Sequence, residues 1–300
     1  MDLDGATFLL QWATGGLLFC WVTTRRREVS LGYGWLLRIV YGLMALGAAA
    51  IYATQEQVPA RAVALGCSLL VVVAAGLALA VSVVRRSAGV SGVDAERRRR
   101  QARVAAMVGR SDNGHDPEPA TTAATTGASL APPAAREFEP WLDLLAPCFG
   151  VIGLLAAADL AGGPVTLAAA RLLVGAAFLG CVTDAMLLGH WYLTQPGLPR
   201  DPIKELVRWT AILWPFEVAV FLVPTGMVQV FNGEIDDGYG GLLAWVWLVC
   251  ALTTIGLVAT TWQALKERSY SAVMAATGLM YLAILTAFGQ DLIARAVLAP

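Results

Sequence analysis

The stretch "VALGCSLLVVVAAGLALAVSVV", Val63–Val84, decides the fold, because it carries no charged side chain along its whole length. About 20 residues of helix cross the hydrocarbon core of a bilayer, so the stretch is long enough to span a membrane. A strand of a membrane barrel would alternate apolar and polar side chains, and this stretch is apolar on every face. It therefore predicts a membrane-spanning helix, which satisfies its own backbone hydrogen bonds.

Runs of the same kind recur along the chain, which is 57% hydrophobic and only 14% charged, with a mean hydropathy of +0.64. This composition is outside the range of soluble domains. The runs lie near residues 6–23, 32–53, 59–84, 141–161, 165–192, 206–228, 241–264 and 271–297. The predicted fold is an all-α polytopic integral membrane helix bundle with about eight transmembrane helices.

Basic residues flank these runs at every second loop. They are Arg25, Arg26 and Arg27; Arg85, Arg86, Arg97 to Arg100, Arg103 and Arg110; Arg200, Lys204 and Arg208; and Lys266 and Arg268. Lys and Arg beside a span are retained on the cytoplasmic side of the membrane. The pattern predicts that both termini lie outside the cell membrane. The predicted location is the inner (plasma) membrane of a bacterium. A GC-rich genome would explain the abundance of Ala, Gly and Arg.

The composition changes abruptly over residues 87–138, which are first basic and then rich in Pro, Thr and Ala. Such a segment cannot form a core, and it predicts a disordered cytoplasmic linker. The linker divides the chain into a three-span block, 1–86, and a five-span block, 139–300. Its basic part would contact the anionic inner leaflet, or alternatively dock a soluble partner. His115 lies in this linker and is given no role.

Sequence motifs of catalysis and metal binding are missing from the chain. The five cysteines are scattered singly, at Cys20, Cys67, Cys148, Cys181 and Cys250. A bis-histidine heme needs two histidines on facing helices, and the spans hold one, so heme is disfavoured and quinone is the cofactor considered. The sequence predicts no metal site, no nucleic-acid partner and no enzyme activity of the chain alone, with the bilayer and other membrane subunits as partners.

Four ionisable residues lie toward the predicted outer ends of the spans. Asp159 and Arg171 flank a short turn, and Asp291 and Arg295 are four residues apart on one helical face. Side chains four residues apart on a helix meet, so Asp291 and Arg295 are predicted to form an ion pair. Asp159 and Arg171 are predicted to pair across the turn. Both pairs would fix helix packing, or alternatively line an outer vestibule beside the acidic loop at residues 234–237.

Glu217 falls near the middle of the sixth predicted span, between Pro215 and Pro224. Each proline removes a backbone donor, so a kinked helix is predicted around the carboxyl group. A carboxylate in hydrocarbon is costly unless a proton, a cation, a donor or water meets it. Glu217 is therefore a candidate for proton or cation binding, the alternative being a neutral Glu bonded to Gln11 or to a threonine of the seventh span.

A second set of candidates lies toward the cytoplasmic end of the fifth predicted span. Asp184 and His190 are six residues apart, about 120° around a helix, so they do not share a face. His190, Trp191, Tyr192 and Trp209 would suit contact with a quinone head group, although aromatic residues are common wherever a span meets the headgroups.

Three functions fit this pattern. The preferred one is a membrane subunit of a redox or energy-converting assembly that handles protons through Glu217, Asp184 and His190 or contacts quinone. The second is a proton- or ion-coupled small-solute transporter with Glu217 at the midplane, and the absence of a recognisable internal repeat weighs against it. The third is a non-catalytic scaffold or sensor that uses the basic linker.

Overall fold

The computed structural model describes residues 4–91, 98, 104, 137–195, 199–222, 226–267 and 269–298. Within these ranges every regular element is helical and no strand is formed. The predicted all-α fold is confirmed. Most of the predicted linker, including His115, lies outside the described residues, as do Pro224 and Arg268.

Nine α-helices and two 3-10 helices are formed in the described parts of the chain. The α-helices are α1 (Gly5–Thr24), α2 (Leu31–Thr54), α3 (Pro59–Val84), α4 (Leu145–Leu160), α5 (Val165–Thr194), α6 (Asp201–Leu222), α7 (Met227–Phe231), α8 (Leu242–Ala264) and α9 (Tyr270–Val297). The 3-10 helices are Arg85–Ala88, after α3, and Pro140–Leu144, before α4.

Seven helices of the described chain are long and apolar enough to cross a membrane: α1, α2, α3, α4, α5, α8 and α9. The sixth predicted span, 206–228, differs from what the structure shows. Helix α6 begins earlier, at Asp201, and ends at Leu222, and the chain resumes as the short helix α7. Helix α6 is not one of the seven, because Asp201, Lys204, Glu205 and Arg208 are charged in its first two turns and Glu217 adds a charged residue to its apolar part.

Helix α1 lies inside the bundle. It packs against α2, α4 and α5, and 67% of its most apolar window is buried, compared with 28% for α8. Helix α3 packs on α2 and α4, α9 packs on α8 and α5, and α6 lies between α5 and α8. The three-span and five-span blocks therefore form one bundle, because α1 and α3 of the first block pack against α4 and α5 of the second.

A very close helix approach joins α1 to α5. A Cβ atom on Gly15 would lie 1.6 Å from the carbonyl oxygen of Ala176, and a Cβ on Gly180 would lie 2.1 Å from the carbonyl carbon of Gly15. Only glycine allows two backbones to touch in this way, as is common between helices in membranes. We call these three residues the glycine contact.

The loops gather at two ends of the bundle. At the basic end, Arg25 and Arg26 form ion pairs with Glu205 at the start of α6, and Arg27 forms one with Glu137. At the acidic end, the Asp4 carboxylate caps α1 by accepting hydrogen bonds from the backbone N–H groups of Ala6 and Thr7. The terms basic end and acidic end are used below for these two faces.

Candidate polar sites within the bundle

A buried ion pair occupies the acidic half of the bundle. The Arg295 Nε donates to Asp291 Oδ2 at 2.7 Å, and its Nη2 donates to Asp291 Oδ1 at 3.1 Å. The same Nη2 also donates to the side-chain oxygen of Gln11 on α1, at 2.6 Å. The structure thus contains the ion pair that the four-residue spacing predicts, and this pair links α9 to α1.

Glu217 of α6 is the second carboxyl group of this region. The residue is fully buried, and the charged groups that act on it electrostatically are Asp291 and Arg295. Neither Glu217 carboxyl oxygen has a hydrogen-bond partner among the described residues. Buried polar groups in proteins are nearly always paired, so this side chain has capacity left for water, a proton or a ligand.

Space for these side chains is provided by a glycine on α5. A Cβ on Gly175 would lie 2.3 Å from Gln11 Nε2 and 3.3 Å from Asp291 Oδ1. Gln11 Nε2 also has no hydrogen-bond partner within the described part of the chain. We call Gln11, Glu217, Asp291 and Arg295 the acidic-half cluster. Three helices, α1, α6 and α9, supply its side chains and α5 closes it.

Two further buried polar groups flank the cluster along α8 and α9. Both amide atoms of Gln290 and the indole Nε1 of Trp247 lack a hydrogen-bond partner in the described chain. Trp247 packs in a small apolar group with Phe221 and Ala294 at the acidic end. Unpartnered polar atoms therefore occur on α8 and α9 as well as in the acidic-half cluster.

Arg171 holds the end of α6 rather than forming the predicted pair. Its Nε donates to the backbone carbonyl of Val220 at 2.8 Å, and its guanidinium lies 5.7 Å from the centre of the Phe221 ring. The last carbonyls of a helix have no partner within the helix, so Arg171 supplies one. Asp159 is exposed at the end of α4, and no ion pair joins these two residues, both of which the structure describes.

Of the two prolines predicted to kink the helix around Glu217, the structure describes one. Pro215 lies inside α6, two residues before Glu217. It has no backbone N–H, so the carbonyl one turn earlier loses its usual partner. The helix ends at Leu222, and the contribution of Pro224 lies outside the described residues.

A fully paired carboxylate occupies the basic end. Asp143 accepts hydrogen bonds from Arg38 Nε at 2.7 Å, from Arg38 Nη2 at 2.8 Å and from Thr24 Oγ1 at 2.8 Å. Both side chains of the ion pair are at most 3% exposed, and Arg38 stacks on Phe138 at 4.5 Å. Sequence reasoning missed this site. The available signal was Arg38 itself, an arginine inside an apolar run that needs a partner.

Asp184 lies in the basic half and is fully buried. Its Oδ1 accepts a hydrogen bond from the Tyr41 hydroxyl at 2.6 Å, and its backbone carbonyl accepts one from Tyr33 at 3.1 Å. The Oδ2 atom has no partner among the described residues. Nine residues of α5, about 14 Å of helix, separate Asp184 from Gly175, and the glycine contact lies between them.

The four aromatic and histidine candidates at the basic end have different neighbours. His190 is exposed, with its ring 6.4 Å from that of Tyr281 on α9. The remaining three are Trp191, which donates to Ser30; Tyr192, which donates to the carbonyl of Pro199; and Trp209, which is exposed on α6. The described contacts do not bring these side chains around one cavity. Asp184 and His190 also point to different surroundings, one buried and one exposed.

No group of three or more His, Cys, Asp or Glu side chains that could hold a metal ion is present in the ranges that the structure describes. The chain matches no protein-family model, no curated protein and no solved structure. What the protein does is therefore inferred from its own residues and their geometry.

Proposed function

We propose that this protein is a proton-coupled transporter of a small solute, with Glu217 as the group that binds and releases the proton. One observation carries the proposal. Glu217 is fully buried beside the Asp291–Arg295 pair, and neither of its oxygens has a donor among the described residues. An ionisable side chain placed in this way within a membrane is characteristic of proton and ion pathways.

Arg295 provides a physical means of coupling. When Glu217 is protonated, Arg295 has one carboxylate partner, Asp291, which it binds through two nitrogen atoms. When Glu217 loses its proton, a second carboxylate competes for the same guanidinium. Because Arg295 also binds Gln11 on α1, the protonation state of Glu217 would change how α6, α9 and α1 are held together.

Helix α6 is the element best suited to change its conformation when Glu217 gains or loses a proton. It contains Pro215 and ends at Leu222, and its last turn is held by Arg171. Interrupted helices with freed backbone groups form the substrate sites of many transporters. A change at Glu217 would therefore act on a helix that is already broken close to the site.

The second candidate is a proton-handling subunit of an energy-converting assembly, and it is favoured by Asp184. That carboxyl group lies buried at a second depth of the bundle, hydrogen-bonded to Tyr41. Carboxyl groups at successive depths can relay protons across a membrane. The glycine contact separates Asp184 from the acidic-half cluster, so a relay between them would require α1 and α5 to part.

The test uses the purified protein in proteoliposomes that contain a pH-sensitive dye. Wild type, Glu217→Gln and the control Asp159→Asn, which changes an exposed carboxylate, are compared while a panel of small metabolites is added outside. We expect at least one solute to drive proton entry in wild type and Asp159→Asn but not in Glu217→Gln. Equal proton entry in Glu217→Gln, or none in wild type with any solute, would overturn the proposal.

The same purified proteins test the second candidate function, a subunit of an energy-converting assembly, against the transporter. Quinone or redox subunits that copurify with wild type and are lost from His190→Ala would support an energy-converting assembly. The exposed position of His190 beside Tyr281 is compatible with a quinone that arrives from the bilayer.

A further inference from the structure

Two adjoining cavities open between α6 and α8 at the basic end. The first, about 380 Å³, is walled by aliphatic side chains that include Val207, Ala211, Ile255 and Val258. The second, about 450 Å³ and called the polar part below, carries the charged side chains of Arg26, Asp201, Lys204 and Glu205 beside Trp209. Arg208 and Trp262 line both. We call the two together the α6–α8 groove.

The apolar part of this groove is elongated. Along α8 it extends from Gln263 to Ile255, eight residues or about 12 Å of helix. Its position between two helices, with Trp262 and Ile212 partly exposed beside it, places it on the outer surface of the bundle. A slot of this shape accommodates a hydrocarbon chain.

The polar part is lined by three cationic side chains, Arg26, Lys204 and Arg208, and by two carboxylates, Asp201 and Glu205. Glu205 is already in contact with two arginines, since Arg25 and Arg26 both form ion pairs with it. Lys204 and Arg208 have no carboxylate partner within the described residues. Arg208 is exposed on the side of α6, where an arginine close to hydrocarbon requires an anionic partner.

Tryptophans frame the place where the two parts meet. Trp209 is 39% exposed and Trp262 is 37% exposed, on facing helices. Indole rings partition to the level of lipid headgroups, because one edge is apolar and the other donates a hydrogen bond. Their position indicates that the polar part of the groove lies at headgroup depth and the apolar part lies deeper.

We propose that the α6–α8 groove binds one anionic phospholipid, with its phosphate against Arg208 and Lys204 and an acyl chain in the apolar part. The ligand must be amphipathic and negative, because a free phosphate would leave the apolar part unfilled and a neutral apolar molecule would leave both cations unmatched. Basic sites between helices at one membrane face commonly hold such headgroups. This site is separate from Glu217 and does not depend on the proposed transport.

The experiment measures lipid retained by the full-length protein. Protein in mild detergent is mixed with phosphatidylglycerol or with phosphatidylcholine, and bound lipid is counted by native mass spectrometry. We expect phosphatidylglycerol to be retained in preference to phosphatidylcholine. Arg208→Gln and Lys204→Gln should each weaken its retention about fivefold, since one basic residue near the headgroups contributes about 1 kcal/mol. Arg86→Gln removes the same charge from an exposed position outside the groove and should retain as much lipid as wild type.

A second variant tests the apolar part. Ala259 lines it and is exposed, so Ala259→Phe fills the slot without changing charge or burying a larger side chain in the core. We expect it to lower phosphatidylglycerol retention while the melting temperature stays at the wild-type value. The proposal is overturned if both phospholipids bind equally, if Arg86→Gln loses as much as Arg208→Gln, or if Ala259→Phe retains lipid as wild type does.

Discussion

Asp143 and Glu217 are two buried carboxyl groups that this bundle treats in opposite ways. Asp143 accepts three hydrogen bonds, two from Arg38 and one from Thr24, whereas Glu217 accepts none from any described residue. Both side chains are removed from solvent to a similar degree. The difference indicates that Asp143 belongs to the framework of the bundle, while the hydrogen-bonding capacity of Glu217 is left for something that the bundle does not supply.

The largest expected effect comes from changing Asp143 to Asn. The substitution leaves the guanidinium of Arg38 buried without its counter-charge, and breaking such a pair costs about 3–5 kcal/mol. Unfolding by denaturant in mixed micelles measures the free energy of unfolding. The double variant Arg38→Met/Asp143→Leu, which removes both charges, should recover most of the loss. A loss in the free energy of unfolding below about 1 kcal/mol for Asp143→Asn would show that Asp143 does not stabilise the bundle.

The next effect concerns the glycine contact, which separates the two polar regions. Gly180→Ala places a Cβ against the backbone of Gly15, and overpacking of this kind costs about 1–3 kcal/mol. Gly76→Ala on α3 is the matched control, because a Cβ there meets nothing within 4 Å. We expect only Gly180→Ala to lower the melting temperature. Equal melting temperatures would show that α1 and α5 can separate at little cost.

A smaller effect is expected from Glu217→Gln, which repeats the carboxyl-to-amide change of Asp143→Asn in the other region. No hydrogen bond from a described residue is lost, and the amide is neutral and nearly the same size. The free energy of unfolding should stay within about 1 kcal/mol of wild type, the range of substitutions that remove no buried partner. A cost equal to that of Asp143→Asn would show that Glu217 is also part of the framework.

The smallest effect is expected at Asp237, an exposed carboxylate in the loop before α8. Backbone N–H groups of Gly241, Tyr239 and Leu243 donate to it, and these bonds hold its pKa below the usual value for Asp. Because the pKa is lowered, the carboxylate supports the loop at neutral pH and this support is lost as the pH falls through the lowered pKa. Asp237→Asn should speed amide exchange at Gly241 and Leu243 at pH 7 and leave the spans unchanged. Unaltered exchange would contradict this role.

The spans and one ion pair could be predicted from sequence because both depend on local spacing. A run of apolar residues specifies a spanning helix, and the four-residue interval between Asp291 and Arg295 brings their side chains together on one helix. The apolar run predicts a sixth span that begins at residue 206, later than the helix start at Asp201, because the charged first turn of the helix is not part of the apolar run.

The surroundings of the other charged groups required the tertiary structure. Arg38 and Asp143 are 105 residues apart, and the partner of Arg171 is a backbone carbonyl on another helix, which no side-chain pattern reveals. The position of Glu217 near the middle of an apolar run could be read from the chain. Its electrostatic interaction with Arg295 could not, since it depends on where α6 and α9 lie in the folded bundle.

The hydrogen bond from Arg295 to Gln11 joins the last helix of the bundle to the first. During synthesis α1 enters the membrane long before α9 has been translated, and it is also the least hydrophobic of the seven spans. The Gln11 side-chain oxygen therefore gains this hydrogen bond only after α9 has been synthesised. A chain cut short before residue 295 would therefore lack the polar partner that Arg295 gives to Gln11.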